Sequence, residues 1–561
     1  MGLGTNLRNL SWQKLAIGSA LALTLSACGA QEVAAEKPSA SATAIQAHLE
    51  FLASDEMAGR DTGSRGHEIA SQYIATEFKR LGLEPAGDDG TYYQRIEFRK
   101  SFLKERSAGL SIHRGDETIE LDYPKQFIMG PSSVTERDEL TAPLVFVGYG
   151  MVSDTFGIDD YAGLDVDGKI VVMLTGRPEE LPSEEAAHLS SIKGELAAER
   201  GAVGILTVHT PQREEVRSYE TSMLYLNVPT VRWLNEAGEP HSRYDTIAAT
   251  AYVDDAAAEV LFANSQMTLA DIFTQLENNE SPQGFAMDVS ATLKRESRHE
   301  QVSSPNVAAV LPGADPELRD DYLVYTAHSD HIGVSKDLSG DDNINNGAMD
   351  NAAGVSVMLE TARMFVESEQ KPQRSVMFLA VTAEERGLLG ADYFAHNPTV
   401  PMANIVANVN LDMPVLLYDF ADVIAFGANH STLGDTVAAA AAEYDIELSP
   451  DPMPEQAIFT RSDHYTLVKK GVPAVFLMTG FTSKNPDEDG GKVWGEFFAK
   501  HYHRPSDEAS LPIRYESGAL FTDINFAIGQ RIANDEQRPQ WLSDSFFGKV
   551  FGQGDSVATA N

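Results

Sequence analysis

The sequence predicts an α/β protein: a mixed, mostly parallel sheet sandwiched by helices, with a β-rich domain inserted into it. Two observations lead there. After Asn306, compact apolar runs alternate with helical stripes, as expected of strands buried on both faces and covered by helices. From about Leu103 to Thr292 the pattern is short strands broken by Gly, Pro and Asp, the mark of a β-rich unit. A chain of 561 residues also exceeds what one ordinary core supports.

The N-terminus reads as a targeting segment. Arg8 and Lys14 form a basic start and Leu15 to Leu25 a short apolar run, too short to span a bilayer. Leu25-Ser26-Ala27-Cys28 resembles the bacterial lipobox, in which cleavage leaves an acylated cysteine. Residues 1–27 are therefore expected to be a lipoprotein signal peptide and 28–42 a tether, which anchors the chain to a membrane through Cys28 in the cell envelope. Cys28 is the only cysteine, so stability is expected from burial and metal rather than disulfides.

The first 27 residues hold two bases and no acids, so their removal takes the formal charge from −40 to −42. Such a field repels phosphate backbones and argues against nucleic acid as a partner. At 43% apolar and 22% charged residues, the composition is that of a globular chain.

Thr43 to Ser54 and His67 to Gly82 look helical: Ile69, Tyr73, Ile74, Phe78 and Leu81 keep to one side, and Gly82 supplies a stop. Residues 43–102 form the first part of the main domain. The insert, 103–292, shows strands such as Leu144 to Gly148, Lys169 to Leu174, Gly204 to Val208 and Val228 to Val231, with one helical stretch at Ser190 to Arg200. Residues 293–535 complete the main domain, leaving 536–561 as a tail.

Within 293–535, the expected strands are Tyr322 to Ala327, Ser375 to Thr382, Ile405 to Leu411, Val423 to Phe426 and Pro473 to Met478. Val355, Met358, Leu359, Ala362, Phe365 and Val366 form one stripe of a helix starting near Asp350. Sites in such folds collect at the carboxyl ends of strands. His328, Glu384 with Glu385, and Asp412 each follow a different strand.

Two imidazoles with several carboxylates are the ligand set of a pair of zinc-like ions, with a further carboxylate for proton transfer. His328-Ser329-Asp330 places an acid where it can accept a hydrogen bond from the imidazole. Asp350 has a competing role as a helix N-cap. Glu384 and Glu385 also suit the start of the helix at Arg386 to Leu389, though adjacent carboxylates there point in different directions. His503, with Asp507 four residues on, competes with Asp463-His464 as the source of the second imidazole. A calcium loop at Asp341 to Gly347 is rejected, because its glycine is one position late and Ala352 replaces the closing Glu. No G-x-S-x-G elbow is present.

Ala327-His328-Ser329-Asp330, Gly347 to Gly354, Thr382-Ala383-Glu384-Glu385-Arg386-Gly387-Leu388-Leu389-Gly390, Asn410-Leu411-Asp412 and Tyr502-His503 occur in that order. Together they resemble the co-catalytic zinc aminopeptidases related to glutamate carboxypeptidase and the transferrin receptor. Phe51 to Arg60 is similar to the start of bacterial members. Tyr161-Ala162-Gly163 and Gly168-Lys169-Ile170-Val171 resemble parts of their protease-associated insert.

The resemblance implies a zinc exopeptidase fold and two Zn2+ per chain. His328 and Asp412 would bind one ion, Glu385 and His503 the other, and Asp350 both. Glu384 would be the general base, Asp330 the orienter of His328, and His464 a pocket or supporting residue beside Asp463. It also implies a cis peptide between Asp350 and Asn351, and peptides with free N-termini as substrates. The alternatives are a glutaminyl-cyclase-like transferase, which uses one zinc; a carboxypeptidase, which needs an arginine cluster that Arg461 and Arg504 alone do not make; and a non-enzymatic lipid-anchored binding protein, which has no use for Glu384.

Overall fold

A computed structural model describes residues 38–552 apart from 224–225, 242–243, 245 and 336–341. The expected signal peptide, Cys28 and most of the tether fall outside the described residues. The last tether residues are docked: the N–H of Ala40 donates to Asp523 at 2.9 Å and that of Ser41 to Glu360 at 2.5 Å. The Ser41 hydroxyl then caps the helix Ala42–Leu52.

The architecture is a mixed, mostly parallel sheet with helices on both faces. Ser375–Val381, Tyr322–His328, Ile405–Leu411 and Ala474–Thr479 run parallel side by side in that order. Phe285–Leu311 flanks them antiparallel on one side and Asp422–Phe426 on the other. Alternate residues serve the two faces. Leu323 and Tyr325 join Met358, Phe365 and Phe526 in one core, while Val324 joins Leu379, Phe394 and Leu467 in another. Both faces must therefore be apolar, which is why these strands read as unbroken apolar runs.

The residues expected as an insert have a core of their own. Arg137–Phe146, Ile170–Leu174, Gly204–Val208 and Ala249–Val253 are parallel neighbours around Leu110, Phe146, Val172, Leu206 and Val253. Among the described residues six helices there, Ser183–Ser191, Lys193–Glu199, Pro211–Val216, Tyr219–Met223, Asp255–Phe262 and Leu269–Glu277, replace the single stretch expected at Ser190 to Arg200. The last two are short, and their signal lies in their caps: Asp254 accepts the N–H of Ala257, and Thr268 with Asp271 forms a capping box.

The expected boundary at residue 292 falls inside one strand of 27 residues, Phe285–Leu311. Its first part pairs with Gly109–Arg114 and Arg137–Phe146 of the insert sheet. Its second part pairs with Tyr93–Leu103 and Ser375–Val381 of the main sheet. Thr230–Trp233, expected as an insert strand from Val228, also pairs with Tyr93–Leu103 and so extends the main sheet. Residues 536–552 are packed chain rather than a tail: Trp541, Phe546 and Phe547 are buried in the main core, because three large aromatics gain most from burial there.

Candidate metal centre

Parallel strands in register end at one edge, and that edge assembles the site. His328 is the last residue of its strand and Asp412 the first beyond its own. The pairing of Thr326 with Asn410 brings the two together across the ladder. Ala383, Leu388, Met413 and His503 all have positive φ, between 45° and 60°, the left-handed backbone that concentrates where side chains are held for function.

Asp350 is the hub. Its Oδ1 lies 3.2 Å from His328 Nε2, which is also 3.1 Å from Asp412 Oδ1. Its Oδ2 lies 3.2 Å from His503 Nε2, which is also 3.1 Å from Glu385 Oε2. One carboxylate thus faces two separate imidazole–carboxylate sets, one with each oxygen. His464 does not join them. It packs between Phe459 and Phe476, and burial pushes it down to about 3.

The loop that carries Asp350 is tightly held. The Asp350–Asn351 peptide is cis. Asn351, not Asp350, takes the capping role: its Oδ1 accepts the N–H of Gly354 at 2.9 Å and that of Met413 at 3.0 Å. Asp507 accepts the N–H groups of Met349 and Asp350 at 2.9 and 3.1 Å, so it supports Asp350 rather than His503. Gly347 has φ +61°, and a Cβ there would meet the Asp350 carbonyl oxygen at 2.2 Å and the His331 ring at 2.7 Å. Only glycine fits.

His328 is oriented by the main chain. Its Nδ1–H donates to the Asp330 carbonyl oxygen at 3.2 Å, which leaves Nε2 toward the acids. The Asp330 carboxylate, expected to do this, instead accepts the N–H of Glu384 at 3.1 Å and the Thr62 hydroxyl at 3.2 Å. The strand ends at His328, so the Asp330 carboxylate is not placed to accept from the imidazole as expected. Asp412 is fixed by a relay in which Asn410 donates to Ser462 at 2.7 Å and Ser462 to Asp412 Oδ2 at 2.5 Å.

Two participants were not among the expected site residues. His331 is fully buried, and its Nδ1–H donates to Glu385 Oε1 at 2.6 Å. Arg60 is 1% exposed and donates to the carbonyls of Leu52, Ser329, Asn346 and Gly347 at 2.5 to 3.0 Å. It ties the segment before Asp350 to the one after His328, which gives a physical reason for the Phe51 to Arg60 motif.

The donor chemistry fits two divalent cations. Against the opposing effect of burial, Glu385 and Asp350 push His503 up to about 11, and Asp412, Glu384 and Asp350 likewise raise His328 well above its usual range. Protons are drawn to the two places where cations would neutralise buried carboxylates. Glu384 lines the cavity beside these groups. Burial, with Glu385, Asp412 and Asp463 nearby and only His328 opposing, raises it well above the usual carboxylate range. The Asp463 carboxylate is buried without a hydrogen-bonding partner among the described residues and is raised in the same way.

With this arrangement in view, the comparisons with known proteins become specific. Residues 306–527 match the model of Peptidase family M28. The matched segment contains all five residues named as ligands. A probable zinc metalloprotease of Pyrenophora teres f. teres (strain 0-1) is 34% identical over 140 residues, 24% of this chain and 29% of that one. Leucine aminopeptidase 2 of Trichophyton rubrum is 27% identical over 255 residues, 44% of this chain and 47% of that one. In both cases the chain spans less than half the length of the relative. Among solved structures, an aminopeptidase from Aneurinibacillus sp. strain AM-1 shares the fold, with a TM-score of 0.50 and 20% identity over 93% of this chain and 98% of that chain.

Proposed function

We propose that the chain is a two-zinc aminopeptidase that removes residues from the free N-termini of peptides. The observation that carries this reading is Asp350, whose two oxygens face two separate imidazole–carboxylate sets. His328, Asp350 and Asp412 would hold one Zn2+, and Asp350, Glu385 and His503 the other. When bound, such a pair supplies Lewis-acid polarisation of the scissile carbonyl and lowers the pKa of an attacking water.

The chain's own residues would supply the rest. Glu384, raised well above the usual carboxylate range by burial, takes the water's proton and returns it to the departing amine. Asp330 fixes the Glu384 main chain. The cavity of about 340 Å³ over the site is walled by Ile458, Phe476, Met478, Phe481, Trp494 and Phe498. Those walls suit a large apolar N-terminal side chain, and the carboxylates at its floor suit the α-ammonium. Residues 103–292 would be a protease-associated insert of the kind found beside glutamate carboxypeptidase-like enzymes, a reading supported by its separate core. The Leu25 to Cys28 motif supports an acyl anchor in the cell envelope.

The test is an assay on peptides with free and acetylated N-termini, with metal content measured for the wild type and Glu384→Gln. The expected result is cleavage of free N-termini alone, and a variant that keeps two Zn2+ while its turnover falls by roughly 10²–10⁴-fold. Equal cleavage of both peptides would overturn the aminopeptidase reading.

A further inference from the structure

A second convergence of metal-type donors lies outside that cavity, where His241 meets the helix Leu389–His396. His241 Nε2 stands 3.8 Å from Asp392 Oδ2, and His396 Nδ1 stands 3.6 Å from Asp392 Oδ1. The two imidazole rings are 4.5 Å apart. One donor atom from each of the three residues lies within 4.8 Å of the other two.

These separations are too long for hydrogen bonds. The His241–Asp392 separation is close to the roughly 3.4 Å between donors that share a tetrahedral ion at zinc–nitrogen and zinc–oxygen distances of about 2.0–2.2 Å, and His396 would bind through its other ring nitrogen, Nε2. Asp392 and His396 are four residues apart on one helix, so both face the same way.

Each donor is also oriented by a neighbour. The Trp233 indole N–H donates to Asp392 Oδ2 at 2.8 Å. The Trp233 ring stacks on His241 with centroids 3.8 Å apart and planes 12° apart. His396 Nδ1–H donates to the main-chain carbonyl of Asp392 at 2.8 Å, which leaves Nε2 for a ligand. Such outer contacts are those that fix metal-binding imidazoles and carboxylates.

The side chains of His241, Asp392 and His396 are 29%, 14% and 34% exposed, which leaves an entry path and room for water in the remaining coordination positions.

We propose that His241, Asp392 and His396 bind one divalent cation of the zinc class, separate from the Asp350 centre. The ion would fasten the chain at His241 to the helix that follows Glu384 and Glu385. The contribution is structural, so hydrolysis of small substrates does not require it.

The experiment is Zn2+ stoichiometry by mass spectrometry on the full-length protein equilibrated in buffered Zn2+, wild type against His241→Gln/His396→Gln. The expected result is one Zn2+ fewer per chain in the variant with unchanged activity, whatever the total in the wild type. Equal metal content would overturn the proposal and leave a cluster of ordinary polar contacts. Should the double variant fail to fold, Asp392→Asn gives the same readout, because its amide oxygen can still accept from Trp233. Retention of the ion in that variant counts equally against the site.

Discussion

The main-chain N–H of Glu384 donates to Asp330 Oδ1 at 3.1 Å, across 54 residues of sequence. The acid after His328 therefore holds the proposed base in place instead of the imidazole. Asp330→Ala leaves the half-buried N–H of Glu384 and the hydroxyl of Thr62 without this acceptor. The expected outcome is a stability loss of about 1–3 kcal/mol and a fall in kcat with little change in KM. Urea unfolding and steady-state kinetics on the same preparation check both.

Arg60 supports the site from below. Its guanidinium satisfies four main-chain carbonyls, and burial lowers it to about 10 against the acids Asp330, Asp350 and Asp507. Arg60→Met should cost about 3–5 kcal/mol. Arg60→Lys should rescue little, since a single ammonium cannot span the acceptors of a planar fork. Thermal melts of the two variants would show similar losses.

His331 holds Glu385 by a short hydrogen bond and stands 3.9 Å from Asp350 Oδ2. Its Nδ1–H holds Oε1 at 2.6 Å while Oε2 faces His503. His331→Phe is expected to weaken one of the two bound Zn2+ by roughly 10–100-fold and to leave the His328–Asp412 ion in place. Competition with a chromophoric chelator resolves the two affinities.

Much of this centre was legible in the sequence because it follows strand ends, and strand ends follow apolar runs. Val381, His328 and Leu411 close their strands close to where those runs stop. His331 and Arg60 were not legible as site residues for the same reason, although Arg60 ends the Phe51 to Arg60 motif. They lie in irregular turns, where no periodicity marks a buried polar residue, and their partners are 54 and up to 287 residues away. Asp350 and Asn351 show a finer failure: a cap before the helix was foreseen, but the two neighbouring side chains divide the cap and hub roles in a way that spacing does not encode.

The acid side of the stability profile should carry the mark of His188. It donates or accepts a hydrogen bond with the Tyr465 hydroxyl at 2.7 Å and packs against Phe546 and Phe551. Burial, assisted by Lys469, lowers it to about 4. Above pH 6.5 both folded and unfolded chains hold a neutral imidazole. Between pH 6.5 and 4 the unfolded chain takes the proton first, so stability falls as pH falls, by at most about 3 kcal/mol. His188→Gln should flatten this part of the pH dependence relative to wild type, as read from melting temperatures at pH 7 and pH 4.5.

The central claim is that Asp350 joins two ions. Anomalous diffraction at the zinc edge, from crystals of the protein equilibrated in Zn2+, tests it directly. The expected map has two peaks about 3.5–4 Å apart, one between His328 and Asp412, the other between Glu385 and His503, with Asp350 touching both. A single peak at this edge of the sheet, or a pair that leaves Asp350 uncoordinated, would contradict the account.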